Sequence, residues 1–131
     1  MASTGTHKQP AQTRKDEDKK AIRASLSTYN QSPRKVRLVT DLVKGKKVNE
    51  AVTALAFLPK RAALPIKKLI ESAAATAKGR GEDIDTLRIA DVRVDSAGMF
   101  TRFMPRAMGR AAPIRKRRSR ITLRLTSDTT K

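Results

Sequence analysis

Arginine and lysine dominate the C-terminal third of the chain, and their arrangement indicates phosphate binding. Arg102, Arg106 and Arg110 recur at every fourth residue, and residues 115–118 are an unbroken run of four cations. Residues 96–127 contain nine Lys or Arg and no acidic residue. A planar guanidinium can bind a phosphate through two parallel hydrogen bonds and can also stack on a base. This stretch therefore predicts a surface for nucleic acid.

The side-chain sets needed for catalysis or metal binding are missing from the sequence. The chain has no Cys, which excludes disulfides and thiolate metal sites. Its single histidine, His7, lies in a polar N-terminal segment without partners for a metal site or for proton transfer. There is no nucleophile–base set and no glycine-rich phosphate loop. We therefore predict a protein that is not an enzyme and needs no cofactor or metal.

The overall charge also favours a polyanionic partner. The 131 residues include 30 Lys+Arg and 12 Asp+Glu, for a formal net charge of +18. Such self-repulsion is tolerated mainly when a polyanion neutralises it. No apolar run approaches the roughly 20 residues that span a bilayer, and residues 1–20 show no secretory signal. We expect a flexible tail at 1–20 and a single RNA-binding domain at 21–131, with no membrane partner.

Hydrophobic periodicity predicts a strand followed by three helices. The strand covers 21–29, with an inner face of Ile22, Ala24, Leu26 and Thr28. Ser32-Pro33 is typical of a helix start, and Gly45 of the left-handed residue that follows a helix. The inner face of this first helix is predicted to be Val36, Val39, Leu42 and Val43.

The second helix is short and follows Val48-Asn49, and the third is predicted from about Lys60 to Lys78. The third helix has a long apolar stripe: Ala62, Ile66, Leu69, Ile70, Ala73 and Ala77. Pro65 conflicts with a regular helix because proline removes a backbone hydrogen bond. The helix therefore starts later than the stripe suggests, or it is kinked at Pro65.

Two strands follow, and they are joined by a long basic segment, the arm, at about residues 95–118. In the first strand Leu87 and Ile89 are out of phase with Val92 and Val94, which predicts a β-bulge near Ala90-Asp91. The last strand alternates cleanly through residues 121–125. The predicted fold is α+β, with a three-stranded antiparallel sheet packed against three helices and a long protruding β-hairpin.

The arm itself combines turn residues with apolar ones. Pro105 and Gly109 fit a bend and a turn, whereas Pro113 argues against continuous strand pairing because it lacks a donor. The apolar residues of the arm are Met99, Phe100, Phe103, Met104 and Met108. Core packing is one explanation for them, but the interspersed arginines, Pro and Gly favour another. Flexible Met and flat Phe would fill irregular RNA crevices while Arg binds phosphates.

The first helix carries a second set of cations that only Asp41 balances. A solvated charged face is one interpretation, and phosphate contact is the one we favour. These cations, with those just past the helix end, are Arg34, Lys35, Arg37, Lys44, Lys46 and Lys47.

Three segments make a family resemblance visible. Ser32-Pro33-Arg34-Lys35-Val36-Arg37 resembles the Ser-Pro-x-Lys-x-Arg opening of bacterial-type large-subunit ribosomal protein twenty-two. Residues 105–111 resemble its Pro-Arg-Ala-x-Gly-Arg-Ala, and residues 114–122 are similar to its Ile-x-Lys-Arg-Thr-Ser-His-Ile-Thr. The resemblance covers about residues 21–126. At the start of the arm, the family's Gly-Pro is replaced by Ala97-Gly98.

The resemblance implies an α+β globule in the large ribosomal subunit of a cytoplasmic ribosome. Its hairpin would penetrate large-subunit ribosomal RNA and line the nascent-peptide exit tunnel, and the protein would support assembly. Its partners would be this RNA, neighbouring large-subunit proteins and the nascent peptide, and no homo-oligomer is implied.

Charge pattern and motifs together give the expected contact residues. The RNA-binding set is Ser32, Arg34, Lys35, Arg37, Lys44, Lys46, Arg102, Pro105, Arg106, Gly109, Arg110, Arg115, Lys116, Arg117, Arg118 and Arg120. The tunnel-facing set that the resemblance implies is Arg102, Phe103, Met104, Arg106 and Met108. The alternative function is a DNA-architectural protein that inserts Pro105 of its β-arm into the minor groove.

Overall fold

The computed structural model describes residues 21–127, so the tail predicted at 1–20 lies outside it. The elements in chain order are β1 (Ile22–Tyr29), α1 (Pro33–Val43), α2 (Val48–Ala56), α3 (Ala63–Gly79), β2 (Leu87–Pro105) and β3 (Ala111–Ser127). Short 3-10 turns precede β2 and lie between β2 and β3. The sheet is antiparallel in the order β1-β3-β2. The predicted α+β fold with its long hairpin is confirmed.

The core lies between one face of the sheet and the three helices. Along β3, Ile121, Leu123 and Leu125 alternate onto that face and are buried. The predicted stripe of α3 is buried throughout: Ala62, Ile66, Leu69, Ile70, Ala73 and Ala77. Small residues in that stripe allow the helix to approach the sheet closely.

The start of α3 resolves the conflict at Pro65. The helix begins at Ala63, three residues later than predicted, and Pro65 lies in its first turn. The first N–H groups of a helix have no partner within it, so a proline there forfeits little. The N–H of Ile66 makes the first full helical bond, 3.2 Å to the carbonyl oxygen of Ala62. Lys60 and Arg61 therefore belong to the loop before α3.

The bulge predicted in β2 is confirmed. Ile89 pairs with Leu125, and Asp91 pairs with the next residue of β3, Arg124. Ala90 is thus the extra residue, and its insertion brings Val92 onto the core face.

The prediction that Thr28 and Leu42 face the core is wrong. The pairing of β1 with β3 shifts between Leu26 and Tyr29, so Tyr29 packs against the core while Thr28 is exposed. On α1, Leu42 is half exposed and Thr40 is buried instead. The Thr40 hydroxyl donates a 3.0 Å hydrogen bond to the carbonyl oxygen of Arg37, one helical turn earlier, which satisfies it inside the core.

Pairing in the arm continues to its tip, so the predicted interruption at Pro113 is wrong. The ladder runs from Met99–Arg117 to Pro105–Ala111 and includes Pro113 opposite Phe103. β1 pairs with β3 only as far as Ser119, so the outer edge of β3 is open along the arm. A proline whose nitrogen faces an open edge removes no ladder bond. From Ser96 to Pro105 the arm extends roughly 30 Å at about 3.3 Å per residue.

A second bulge marks the base of the arm. Ser96 pairs with Ser119 and Met99 with Arg117, so Ala97 and Gly98 together oppose one residue of β3. Gly98 has a φ of +86°, which glycine adopts without the steric cost of a side chain. The family's Gly-Pro is thus replaced by a glycine bulge, which increases the local twist where the arm leaves the sheet.

Candidate RNA interface

Helix α1 is attached to the base of the arm by Arg37. Its Nε and Nη2 donate hydrogen bonds of 3.2 and 2.8 Å to the carbonyl oxygen of Val94. β2 is an edge strand, so its outer side has no neighbouring strand, and Arg37 supplies donors there. The motif placed Arg37 among the RNA contacts, whereas these bonds support a role in positioning the arm.

The loop after α1 covers the outer edge of β2 nearer the start of that strand, at Ile89. The N–H of Gly45 donates to the carbonyl oxygen of Ile89, and the N–H of Ile89 donates to that of Lys46, both at 3.0 Å. Gly45 has the left-handed φ of +78° that lets the chain turn there. The lower half of β2 is therefore held against α1 and its loop.

Lys44 and Asp91 form an ion pair beside this contact. Their Nζ and Oδ1 atoms are 2.9 Å apart, and both side chains are about half exposed. The hydrogen bond to Asp91 and its charge raise the pKa of Lys44 above 10.5. The hydrogen bond from Lys44 is also the largest cause that lowers the pKa of Asp91 below 3.8, although partial desolvation opposes it. Lys44, which was predicted to bind RNA, thus also has a carboxylate partner within the protein.

We expect Asp91→Asn to lower stability in a pH-dependent way. A carboxylate whose pKa is lowered by folding stabilises the folded state above its unfolded pKa, near 3.8. That contribution is lost as the pH falls through the lower folded value. Because folding raises the pKa of Lys44, the stability that Lys44 contributes is fully present below pH 10.5. That stability is lost as the pH rises through the pKa of Lys44 in the folded state. Urea midpoints should thus differ between wild type and variant at neutral pH and converge in acid.

The matched control is Asp95→Asn, because Asp95 lies on the same strand and has no ion pair in the described part of the chain. Parallel pH profiles for wild type and Asp91→Asn would contradict the assignment. The difference is expected to be small, since exposed ion pairs contribute little to stability.

Cations surround a cleft of about 650 Å³, the basic cleft, at the base of the arm. One wall is the β1–α1 loop with the first turn of α1, a second is the loop before α3, and the third is the arm. Its lining residues are Asn30, Gln31, Ser32, Lys35, Arg61, Phe100, Arg102, Arg115, Lys116, Arg117 and Arg118. Seven of the eleven are Lys or Arg and none is acidic, so the cleft attracts polyanions.

The basic cleft unites several predicted RNA contacts that are far apart in sequence. Those brought together are Ser32, Lys35, Arg102, Arg115, Lys116, Arg117 and Arg118. Sequence analysis missed Asn30, Gln31 and Arg61. Arg61 had been assigned to the third helix, and the only signal that could have moved it into a loop was Pro65.

The other predicted contacts lie elsewhere on the molecule. Arg34 and Lys46 are exposed on and just after α1, and Arg120 is exposed on β3. The remainder lie at the far end of the arm: Pro105, Arg106, Gly109 and Arg110. The structure therefore divides the predicted set between the cleft, the globule surface and the arm tip.

A tight turn forms the tip of the arm. The N–H of Arg106 donates to the carbonyl oxygen of Arg110 at 2.8 Å, and Met108 and Gly109 both have positive φ. Phe103 is 74% and Met108 95% exposed, and Met99, Phe100 and Met104 are about half exposed. Core packing therefore does not explain the apolar residues of the arm. In the predicted tunnel-facing set, Arg102 differs from the rest because it lines the basic cleft.

Comparison with known proteins identifies the family. A family model described as "Ribosomal protein L22p/L17e" matches residues 24–126. The chain belongs to this family. The predicted resemblance to large-subunit ribosomal protein twenty-two is confirmed, and so is the prediction of a non-enzymatic, structural protein.

Individual L22p/L17e relatives agree over nearly their whole length. "Large ribosomal subunit protein uL22" of Pelobacter propionicus is 47% identical over 103 residues, which cover 78% of this chain and 93% of the relative. The protein of the same name from Syntrophotalea carbinolica is 48% identical over 102 residues, 77% of this chain and 93% of the relative. The protein of the same name from Bdellovibrio bacteriovorus is 47% identical over 103 residues, which cover 78% of this chain and 94% of the relative.

Among the described residues, no helix is both long and apolar enough to cross a membrane.

Proposed function

We propose that this L22p/L17e protein is a structural constituent of the large ribosomal subunit. It binds large-subunit ribosomal RNA, supports subunit assembly and lines the nascent-peptide exit tunnel with the tip of its arm. The observation that carries the proposal is the basic cleft, with seven cations and no acid, continuing into an arm that has no acidic residue beyond Asp95 at its base. The relatives, each named as a large ribosomal subunit protein, supply the RNA class.

The tip is suited to a crowded, irregular environment. Exposed Phe103 and Met108 alternate with Arg106 and Arg110 at the end of the arm, which extends roughly 30 Å beyond Ser96. The apolar side chains fill crevices and contact peptide, while the arginines bind phosphate. In this proposal residues 21–131 act as one RNA-binding domain. Its further partners are neighbouring large-subunit proteins and the nascent peptide in a cytoplasmic ribosome.

The salt dependence of binding to large-subunit RNA tests the proposal. Each neutralised phosphate contributes about −0.7 to −0.9 to the slope of log K against log salt. With six or more contacts from the cleft and the arm, affinity should fall by about 10³-fold between about 50 and 200 mM salt. Filter binding to transcripts of large-subunit RNA domains measures this, with duplex DNA of equal charge as the control. A flat dependence, or tighter binding to the DNA, would refute the proposed function.

A further inference from the structure

We infer that the basic cleft holds an unstacked nucleotide of single-stranded RNA, with Phe100 as the surface on which its base stacks. The inference rests on the proposed RNA binding and specifies the ligand at one part of that surface. It depends on a feature that phosphate binding does not require, namely an aromatic ring among the cations of the cleft.

Phe100 is fixed in the cleft rather than buried in the core. It is 52% exposed, lies outside the hydrophobic core and lines the cleft. The Arg118 guanidinium carbon is 3.8 Å from the centroid of its ring. This cation–π contact holds the ring in place at one face. A ring held in this way and half exposed is a platform on which a base can stack.

Polar groups able to contact a base edge lie on another wall of the cleft. Asn30 and Gln31 line the cleft, and each side-chain amide offers both donors and an acceptor. The Gln31 Oε1 atom is buried and has no hydrogen-bond donor in the described structure. A buried acceptor without a donor costs free energy, and a base N–H that reaches this oxygen would remove that cost.

The size of the cleft selects an unpaired nucleotide over a duplex. A cleft of about 650 Å³ has the dimensions of a small-ligand site. In a duplex the bases are stacked inside the helix and only phosphates and groove edges reach a protein. Phe100 could then contact no base face. An extruded base between Phe100 and the 30–31 loop, with its phosphates on Lys35 and Arg61, uses every wall of the cleft.

A single tryptophan at position 100 tests the inference, because the chain contains no Trp. Full-length Phe100→Trp is titrated with a six-nucleotide single-stranded RNA, a blunt RNA duplex with the same number of phosphates, and inorganic polyphosphate. Base stacking quenches tryptophan fluorescence, so saturable quenching is expected with the single strand and not with the other two. Phe57→Trp is the matched control, since Phe57 is exposed just after α2 and does not line the cleft. It should show little quenching.

Affinity provides a second readout that does not depend on the probe. Phe100→Leu should weaken binding of the single strand about tenfold and change duplex binding less than twofold. Equal quenching by polyphosphate, equal quenching at positions 100 and 57, or equal losses for single strand and duplex would each overturn the inference. If wild type binds large-subunit RNA with a steep salt dependence while Phe100→Leu is unchanged, only the nucleotide site fails. A flat salt dependence of wild type refutes the proposed function itself.

Discussion

Replacement of residues 97–118 by Asn-Gly should leave a folded globule that has lost most of its affinity for large-subunit RNA. The replaced segment contains seven Lys or Arg and no acid, so the formal net charge falls from +18 to +11. It also removes six of the eleven residues that line the basic cleft. If each cation contacts one phosphate, the slope of log K against log salt becomes shallower by about 5.

The globule should tolerate this change because the arm contributes no core residue. All buried apolar side chains lie outside 97–118. Ser96 and Ser119 are already paired, and Asn-Gly forms the two-residue turn that joins paired antiparallel strands. Urea unfolding should stay cooperative, while filter binding records the lost affinity.

A partial variant separates the charge of the arm from its shape. Changing Arg115, Lys116, Arg117 and Arg118 to Gln keeps the length of the hairpin. It should make the slope of log K against log salt shallower by about half as much as the full replacement does. Unchanged RNA affinity after the full replacement would show that the arm is not the RNA-binding element. Loss of cooperative unfolding would place the arm in the core.

Arg37→Ala should lower the free energy of unfolding by about 1.5 kcal/mol, the usual value for hydrogen bonds from a charged donor at a partly exposed site. The substitution leaves the Val94 carbonyl without the two bonds that now attach α1 to the base of the arm. Arg37→Lys should recover only part of the loss because an ammonium cannot reproduce two donors in one plane. Urea denaturation of the free protein measures both variants.

The matched control is Arg34→Ala on the same helix, because Arg34 is exposed and makes no hydrogen bond within residues 21–127. It should change stability by less than about 0.5 kcal/mol. The two arginines thus separate the positioning role from phosphate contact. If Arg37→Ala left stability unchanged but made the salt slope shallower by about 1, Arg37 would be a phosphate contact, as the motif alone suggested.

Where the geometry of a strand or helix alone determines which residues are buried, the sequence was sufficient to predict them. Alternation in a strand has a period of two, so the phase change between Ile89 and Val92 required an inserted residue, and Ala90 is that residue. The helical stripe of α3 was equally clear because burial repeats every three to four residues. These local signals were enough to predict the fold, and the basic arm is the basis of the proposed RNA binding.

The predictions were wrong where contacts with distant parts of the chain determine which residues are buried or paired. Tyr29 replaces Thr28 at the core because a shift in pairing between Leu26 and Tyr29, without a phase change in hydrophobicity to reveal it, reorients the end of β1. Pro113 is tolerated because β1 stops short of it, which only the pairing of distant strands determines. Arg61 reaches the basic cleft by the same kind of long-range placement. The cleft itself could not be predicted, since its three walls come from separate parts of the chain.

The open edges of the arm have a consequence for the protein before it meets RNA. Beyond Ser96 and Ser119 both strands have one side without a neighbouring strand. Such edges are templates on which further strands can add, and so promote aggregation. Pro105 and Pro113 have no backbone N–H to donate to an added strand. The density of like charge keeps two arms apart. The prolines and the charge therefore both oppose the addition of further strands. Since salt screens that repulsion, we expect the free protein to form β-aggregates more readily at high ionic strength than at low ionic strength.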